Sequence, residues 1–380
     1  MSSIQFGGRT KSKISKTLLC WKNHYCRIYL PVYLLSNINN KIYIIMNTFS
    51  EYQSIIEKAL NRNERYKNLN ESRAYATFSN DGSLGKYTIS DYMSNRSQLS
   101  LSTDLVGIAN KMGVIPFDNQ IIGHHPHFNH LKGTTDTEKH YIISAFIDIK
   151  GSTNLFKKYD EETNMIITNT IQLAAINVCQ LFGGFIQRIQ GDGLFVYFGG
   201  KNIDKTKSTQ HCLTALSLFS YFVKNDLKRV FEQHGIERIF TKIGIDFGDD
   251  DKVLWGVAGK ENTSEIATYS LHTSLAAKMQ AFAGSNEIVV GQYIKDKANF
   301  DTLFYTVVEA KRYIFSDQDN AFYYTQYVFD WLKYLKSSQH IATSVTGEIT
   351  IKPQLVTIPS IASLKEVVGK NRPYAKVNFR

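Results

Sequence analysis

The sequence predicts an α+β fold: a ferredoxin-like β-α-β-β-α-β domain with its helices on one face of the sheet. Two observations lead to this prediction. Between residues 141 and 297, short apolar runs alternate with longer stretches whose apolar residues recur at helical spacing. Within this region, the turn Gly191-Asp192-Gly193 joins two short apolar runs, as in a β-hairpin.

Each element of this domain follows from its local pattern. The predicted strands are Tyr141–Ile149, Phe185–Gln190, Leu194–Gly199, Arg238–Phe247, Val253–Val257 and Glu287–Gly291. The predicted helices are Thr153–Phe182, Lys207–His234 and Leu271–Phe282. The pair Gly183-Gly184 ends the first helix, since glycine readily adopts the left-handed conformation after a helix.

The chain as a whole is predicted to have four segments. Residues 1–45 form a basic extension, 46–139 an N-terminal helix (46–68) with a loosely structured linker or small cap, 140–300 the α+β domain and 301–380 a C-terminal extension with a helix at Tyr327–Leu335. Because Met46 opens a cleaner helical beginning, we expect residues 1–45 to lie outside the functional product.

The charge distribution argues against nucleic acid as a partner. The net charge is +10, and seven basic residues with no acidic one lie within residues 1–45. The remaining body is therefore nearly balanced, whereas a nucleic-acid-binding domain needs a basic face of its own.

Neither a membrane nor a disulfide framework is indicated. The apolar runs near the N-terminus are too short to span a bilayer. The four cysteines, Cys20, Cys26, Cys179 and Cys212, have no paired spacing. We expect reduced thiols in a cytoplasmic protein.

Two motifs containing histidine are interpreted as structural. Four histidines, His124, His125, His127 and His130, lie within seven positions, but Pro126 breaks any helix that would place them on one face. An exposed linker is favoured over a zinc site. His272, on the third helix, is interpreted as a packed or capping residue.

Two aspartates carry the functional prediction. Asp148 interrupts the apolar run of the first strand, and Asp192 lies in the hairpin turn. The first strand neighbours the hairpin in the predicted sheet, so the two carboxylates converge at one edge. Close carboxylates repel unless a proton or cation lies between them, and Mg²⁺ favours such oxygens together with substrate phosphates.

The turn Gly151-Ser152-Thr153 extends this prediction. Gly151 allows a tight turn, Ser152 or Thr153 can cap the following helix, and the free amides face anionic groups. Together with the carboxylates, the turn indicates a triphosphate site with metal-assisted chemistry at phosphorus. Each motif alone would be read as an ordinary helix cap or hairpin turn.

The segments "FIDIKGST", "RIQGDGLFVYFG", "TKIGIDFG", "LWGVAG" and "LHTSLAAKMQ" resemble, in this order, the blocks of the class III nucleotidyl cyclases. The resemblance implies a head-to-tail homodimer with sites at the interface. Asp148, Asp192 and the backbone carbonyl of Ile149 would hold two Mg²⁺ or Mn²⁺ ions. The reaction would be attack of the ribose 3′-hydroxyl on the α-phosphorus of a nucleoside triphosphate, with release of pyrophosphate.

Departures from the family pattern bear on the substrate. Arg188 stands where adenylyl cyclases carry Lys and guanylyl cyclases Glu, and a guanidinium offers only donors. Ala267, or Thr268 with a slip of one residue, stands where adenylyl cyclases place the Asp that accepts from the adenine amine. Without a carboxylate acceptor, a base with an exocyclic amine loses its partner. These positions favour uracil.

The family's transition-state residues, Asn and Arg, fall at Ser274 and Lys278. Lys278 keeps the positive charge without bidentate geometry, and Ser274 is a shorter donor. Losing one such donor typically lowers the rate by about 10²–10³-fold. A degenerate domain that only binds nucleotide therefore stays an alternative.

The whole pattern is most similar to the bacterial pyrimidine cyclases of Pycsar anti-phage systems. This resemblance implies cyclic UMP, or next cyclic CMP, as a second messenger for a separate effector. Three alternatives stay open: an adenylate or guanylate cyclase in signalling, a non-catalytic nucleotide-binding homologue, and a nucleotidyltransferase with linear or dinucleotide products.

Overall fold

The structure is a computed structural model, and it describes residues 37–38, 41–42, 48–72, 87–316, 321–343 and 349–351. Most of the predicted extension over 1–45 and of the C-terminal part of 301–380 lies outside these residues. The four predicted segment boundaries stay predictions.

The elements are named in chain order. The strands are β1 (Asn37–Ile38), β2 (Lys41–Ile42), β3 (Glu138–Lys139), β4 (Ile142–Lys150), β5 (Gly184–Gln190), β6 (Gly193–Phe198), β7 (Phe240–Gly248), β8 (Leu254–Lys260), β9 (Thr263–Tyr269), β10 (Glu287–Gly291), β11 (Tyr305–Ser316), β12 (Ala321–Phe329), β13 (Ile341–Thr343) and β14 (Ile349–Ile351). The helices are α1 (Ser50–Ser72), α2 (Ile89–Asn95), α3 (Thr103–Lys111), α4 (Ser152–Leu155), α5 (Glu161–Leu181), α6 (Lys205–Tyr221), α7 (Leu227–Gln233), α8 (Leu271–Phe282), α9 (Gln292–Ala298) and α10 (Trp331–Ser337).

A seven-stranded sheet, in the order β11-β12-β10-β7-β4-β6-β5, forms the centre of the fold. β4 lies between β7 and β6 and is antiparallel to both. The first strand thus neighbours the hairpin strand, as the ferredoxin-like prediction requires. The α+β class and the β-α-β-β-α-β order are confirmed.

The two faces of the sheet are covered differently. Ile143, Ala145 and Ile147 of β4 pack in one large apolar core with residues of α5 and α6, so these two helices share a face as predicted. α8 covers the opposite face, so the prediction that the helices lie on one face of the sheet is wrong for this helix. It lies so close to β7 that a Cβ on Gly244 would be 2.1 Å from the backbone nitrogen of Gln280.

The predicted first helix over Thr153–Phe182 is wrong in one respect, because the segment forms two helices. Asp160 accepts a hydrogen bond from the backbone N–H of Thr163 and starts α5 anew. Glu161 and Glu162 in the first turn further favour that start, since they lie at the positive end of the helix dipole.

The predicted loose linker is also more ordered than expected between residues 87 and 139. This part contains α2 and α3, and Leu105 and Ile108 of α3 join the main core. Ser102 caps α3 by accepting from the N–H of Leu105.

A second, three-stranded sheet, in the order β3-β8-β9, was only partly predicted. β9 is missing from the sequence prediction because its residues are largely polar. In the C-terminal region, the expected helix at Tyr327–Leu335 is wrong at its beginning: β12 continues to Phe329, and α10 starts at Trp331.

The histidine-rich segment is not an exposed linker. His125 is fully buried among aromatic rings that include Phe128, Phe185 and Trp255. Burial lowers the pKa of its imidazole to about 3, so it is neutral at physiological pH. Among the residues that the structure describes, no group of three or more His, Cys, Asp or Glu side chains could hold a metal ion.

Two of the four cysteines fall in the described ranges. Cys179 and Cys212 are free and buried, as predicted. In the described parts of the chain, no helix combines the length and apolar character needed to cross a membrane.

Candidate functional site

The two predicted metal-binding aspartates meet at one edge of the sheet. The pairing of β4 with β6 ends at Ile147 and Leu194, so Asp148 comes next to the β5–β6 turn, which carries Asp192. The Asp148 carboxylate oxygen lies 3.8 Å from the position of a Cβ on Gly193, the residue after Asp192. Both aspartates are partly exposed.

The electrostatics of this edge show the cost of holding two carboxylates together. Burial raises the pKa of Asp148, and the charge of Asp192 raises it further. Lys242, Gln280 and the backbone N–H of Ile149 act in the opposite direction without cancelling the shift. Anionic Asp148 therefore lacks full compensation from the protein, which is the condition that a bound cation would relieve.

The turn after β4 contacts one of these carboxylates, that of Asp192. Gly151 has a φ of 92°, a left-handed conformation that favours glycine. The hydroxyl of Ser152 donates to Asp192 Oδ2 at 2.6 Å. The expectation that Ser152 or Thr153 caps the helix is wrong, because Gly151 is the N-cap. The Ser152 hydroxyl is hydrogen-bonded to Asp192, and Thr153 is exposed.

The carbonyl of Ile149 is also placed at this edge. The carbonyl oxygen of Ile147 lies 3.0 Å from the position of a Cβ on Gly193 of β6, so it points toward β6. Because carbonyls alternate in direction along a regular strand, we infer that the carbonyl of Ile149 points the same way, past the last pair between β4 and β6. Together with the two carboxylates it would complete an all-oxygen donor set, which suits Mg²⁺ or Mn²⁺.

A second group of predicted residues gathers around Arg188, on β5. Its guanidinium Nη2 contacts Glu265 Oε1, and its Nε donates to Glu265 Oε2 at 3.3 Å. The Arg188 side chain is 44% exposed and that of Glu265 21%. A carboxylate thus lies beside the predicted base-binding arginine, although it belongs to neither position that the sequence had aligned with the family's acceptor.

Those two aligned positions differ in what they face. Ala267 lies on the same side of β9 as Glu265, two residues away. Thr268 faces the other side, where its hydroxyl hydrogen-bonds to Tyr197 at 2.8 Å and to Thr273 at 3.0 Å. The hydroxyl of Thr268 is therefore engaged within the protein.

Ser274 and Lys278 occupy one exposed face of α8, four residues apart. The hydroxyl of Ser274 donates to the backbone oxygen of Ser270 at 3.4 Å. The opposite face of α8 is anchored through His272, whose Nδ1 lies 2.9 Å from Asp246 Oδ2. His272 is buried, which agrees with its interpretation as a packed residue.

The sequence prediction missed three residues of these two clusters. Gln280 and Lys242 both act on the Asp148 carboxyl, and Glu265 pairs with Arg188. Glu265 lies on β9. The sequence signal for this strand is weak: a short polar stretch after β8, followed by the apolar residue Ile266. A β8–β9 hairpin could have been predicted from it, but the contact with β5 is non-local.

The sequence matches no family model, but it is similar to the sequences of individual known proteins. The chain is 37% identical over 260 residues to a protein named cytidylate cyclase from Staphylococcus aureus, covering 66% of this chain and 60% of that protein. It is 30% identical over 246 residues to another cytidylate cyclase, from Escherichia coli, covering 61% and 53%. The chain thus spans between half and two thirds of the length of these relatives.

Solved structures with some likeness include an adenylyl cyclase, CyaB from P. aeruginosa, with 16% identity, a TM-score of 0.43 and coverage of 51% of this chain and 95% of that one. The guanylyl cyclase Cya2 has 16% identity, a TM-score of 0.39 and coverage of 51% and 93%. The curated relatives confirm the predicted resemblance to nucleotidyl cyclases and to the pyrimidine cyclases among them.

Proposed function

We propose that this protein is a nucleotide cyclase that converts a pyrimidine nucleoside triphosphate to its 3′,5′-cyclic monophosphate and pyrophosphate. The observation that carries the proposal is the convergence of Asp148 and Asp192 at one edge of the sheet, where burial and, after it, the charge of Asp192 raise the pKa of Asp148. A pair of this kind, beside an amide-rich turn, suits a metal–triphosphate substrate.

The donor set fits the proposed cofactor. Asp148, Asp192 and the Ile149 carbonyl would hold Mg²⁺ or Mn²⁺, two per site. When bound, the metal supplies activation of the 3′-hydroxyl and neutralisation of phosphate charge. Ser152 orients Asp192 through its hydrogen bond, and the amides of the turn at Gly151 and Thr153 would face the phosphates.

For the base, we favour CTP, with UTP next. The sequence alone favoured uracil because no carboxylate acceptor aligned with the site. The relatives named cytidylate cyclase support the opposite order, and Arg188 offers donors to the carbonyl oxygens of either pyrimidine.

We propose a homodimer in which each site takes residues from two copies. Asp148 and Asp192 of one protomer would hold the metals, whereas Arg188, Ser274 and Lys278 of its partner would contact the nucleotide. Lys278 would stabilise charge on the phosphates and Ser274 would donate a hydrogen bond, in the places of the family's Arg and Asn. The exposure of both side chains on α8 is compatible with such an interface.

The cellular role that we propose is synthesis of a second messenger in the cytoplasm during anti-phage defence, with a separate effector that binds the cyclic product. This part of the proposal rests on the resemblance to pyrimidine cyclases of such systems.

The decisive measurement is incubation of the purified protein with ATP, GTP, CTP and UTP in turn, with Mn²⁺, and mass spectrometry of the products. We expect 3′,5′-cyclic CMP, with less cyclic UMP, and no product from Asp192→Ala. A purine product would refute the pyrimidine assignment. Nucleotide binding without product would favour the non-catalytic alternative, and a linear or dinucleotide product would favour a nucleotidyltransferase.

Mixing two inactive variants tests the shared site. Asp148→Ala and Arg188→Ala chains should regain about a quarter of wild-type activity after mixing, because half of the dimers are mixed and each has one intact site. If both variants are folded and no activity returns in mixed dimers, each site lies within one chain.

A further inference from the structure

We infer that Glu265 is a specificity-determining residue of the base pocket: it accepts a hydrogen bond from the exocyclic amine of cytosine while Arg188 donates to the ring nitrogen N3 and the carbonyl O2. This inference deepens the proposed function and rests on it for the identity of the reaction. The starting observation is the Arg188–Glu265 ion pair, which joins two strands that are 77 residues apart in the chain.

The two strands that carry this pair are held at a defined spacing. Gly123 lies between them: its N–H donates to the carbonyl of Gln187 at 3.1 Å, and its carbonyl accepts from the N–H of Ile266 at 2.7 Å. The buried Gln187 side chain donates to the carbonyl of Ile266 at 2.9 Å. These bonds involve the residues next to Arg188 and Glu265, so they set the distance between the two side chains.

The backbone at Gly123 packs closely against Glu265. A Cβ on Gly123 would lie 2.9 Å from the Cβ of Glu265, so only glycine allows this approach. The pair is therefore placed before any nucleotide binds, which reduces the entropy lost on recognition.

The pair is accessible to a ligand on one side. Both side chains are partly exposed. Ala267, on the same side of β9 as Glu265, carries only a methyl group, so a flat ring can approach the carboxylate there. Thr268, which could have competed for the base, is engaged with Tyr197 and Thr273.

The order of hydrogen-bonding groups distinguishes the bases. Cytosine presents, along one edge, an amine donor followed by two acceptors, N3 and O2. Glu265 followed by two N–H groups of Arg188 presents an acceptor and two donors, which matches all three. Uracil presents acceptor, donor, acceptor, so in the same register only its O2 is satisfied: O4 lies against the carboxylate and N3–H lies against an N–H of Arg188. A polar site that leaves a group unpaired rejects that ligand strongly.

The test compares wild type with Glu265→Gln in two assays. The first measures kcat/KM for CTP and UTP. The second measures, by calorimetry, the dissociation constants of the α,β-methylene analogues of CTP and UTP, which cannot be cleaved. An amide can donate to O4 of uracil, so we expect the preference for the cytosine nucleotide to fall about tenfold to a hundredfold in both assays. Glu261→Gln, at the exposed turn of the same hairpin, is the matched control and should leave the preference unchanged.

The outcomes separate this inference from the proposed function. If Glu265→Gln alters binding preference in a protein without cyclase activity, Glu265 reads the base and the proposed reaction is wrong. If the protein is an active cyclase and the variant changes the constants for both nucleotides by the same factor, or changes neither, Glu265 only orients Arg188 or plays no part, and the inference is wrong.

Discussion

Asp148 and Asp246 are both aspartates on neighbouring antiparallel strands of the central sheet, yet their surroundings are opposite. Asp246, on β7, is fully buried, and its carboxylate accepts from the hydroxyl of Tyr324 at 2.5 Å and from the N–H of Phe247 at 2.9 Å, with His272 Nδ1 2.9 Å away. Asp148, on β4, is partly exposed and has the like charge of Asp192 beside it.

The two aspartates differ in which groups compensate the negative charge of the carboxylate. Burial raises the pKa of Asp246, but all of the other causes, beginning with His272, favour its anionic form. At Asp148, burial and a second carboxylate act in the same direction, against ionisation. A buried carboxylate with a full set of internal partners is structural, whereas a pair left short of partners at an edge has capacity for a cation.

The Asp246 cluster still serves the proposed site indirectly. It anchors α8 to β7 and β12 through His272 and Tyr324, and the exposed face of α8 carries Ser274 and Lys278. One aspartate would thus hold the helix in place, and the other would hold the metals.

Neutralising either edge carboxylate tests this comparison most strongly. Asp148→Asn and Asp192→Asn should each lower the rate of cyclic nucleotide formation by about 10³-fold or more, because metal assistance lowers the activation barrier by several kcal/mol. Initial rates with CTP and Mn²⁺ measure the effect. Asp136→Asn, in an exposed loop, is the control and should keep full activity. A loss below tenfold for both edge variants would mean that the pair does not hold the metals.

The two aspartates should differ in their effect on stability: replacing Asp246 should lower the free energy of unfolding, and replacing Asp148 should not. Asp246→Asn removes an anion that three donors surround, so the free energy of unfolding should fall by about 3 kcal/mol. Asp148→Asn removes repulsion from Asp192, so the metal-free protein should be as stable as wild type or more so. Urea denaturation of the metal-free proteins compares them. Equal destabilisation by both substitutions would show that Asp148 is a structural residue like Asp246.

The smallest expected effect is on pH dependence. The pKa of Asp148 is raised in the folded protein, so the folded state holds its proton at pH values where the unfolded state has lost it. The folded state then binds more protons than the unfolded state, and this contribution to stability is present below the usual value of 3.8 and is lost as pH rises above it.

Comparing wild type with Asp148→Asn isolates the contribution of Asp148. The comparison is needed because Asp246 also has a raised pKa. The melting temperature of metal-free wild type should decline relative to Asp148→Asn as pH rises from about 4 toward neutrality. A difference that stays constant over this range would place the pKa of Asp148 at its ordinary value.

Much of the central fold could be predicted because its signals are local. The bounds of α8 and β10 agree with the predicted Leu271–Phe282 and Glu287–Gly291, because α8 has a helical apolar spacing and β10 is a short continuous apolar run. The break between α4 and α5 was missed, although Asp160 and the acidic first turn of α5 are local signals, because the apolar spacing runs through it. β9 was missed because its residues are largely polar, although its partner β8 directly precedes it, and its contact with Gly123 is non-local.

The sequence by itself determined the β-α-β-β-α-β order of the central domain, the two aspartates that meet at the sheet edge, and the resemblance to nucleotidyl cyclases. These follow from residue types and from short-range spacing. Only the tertiary structure decided that Glu265 pairs with Arg188, that Thr268 is engaged with Tyr197, and that His125 is buried. The physical reason is the same in each case: the partner lies on another element, and its distance is set by strand pairing and packing rather than by spacing along the chain.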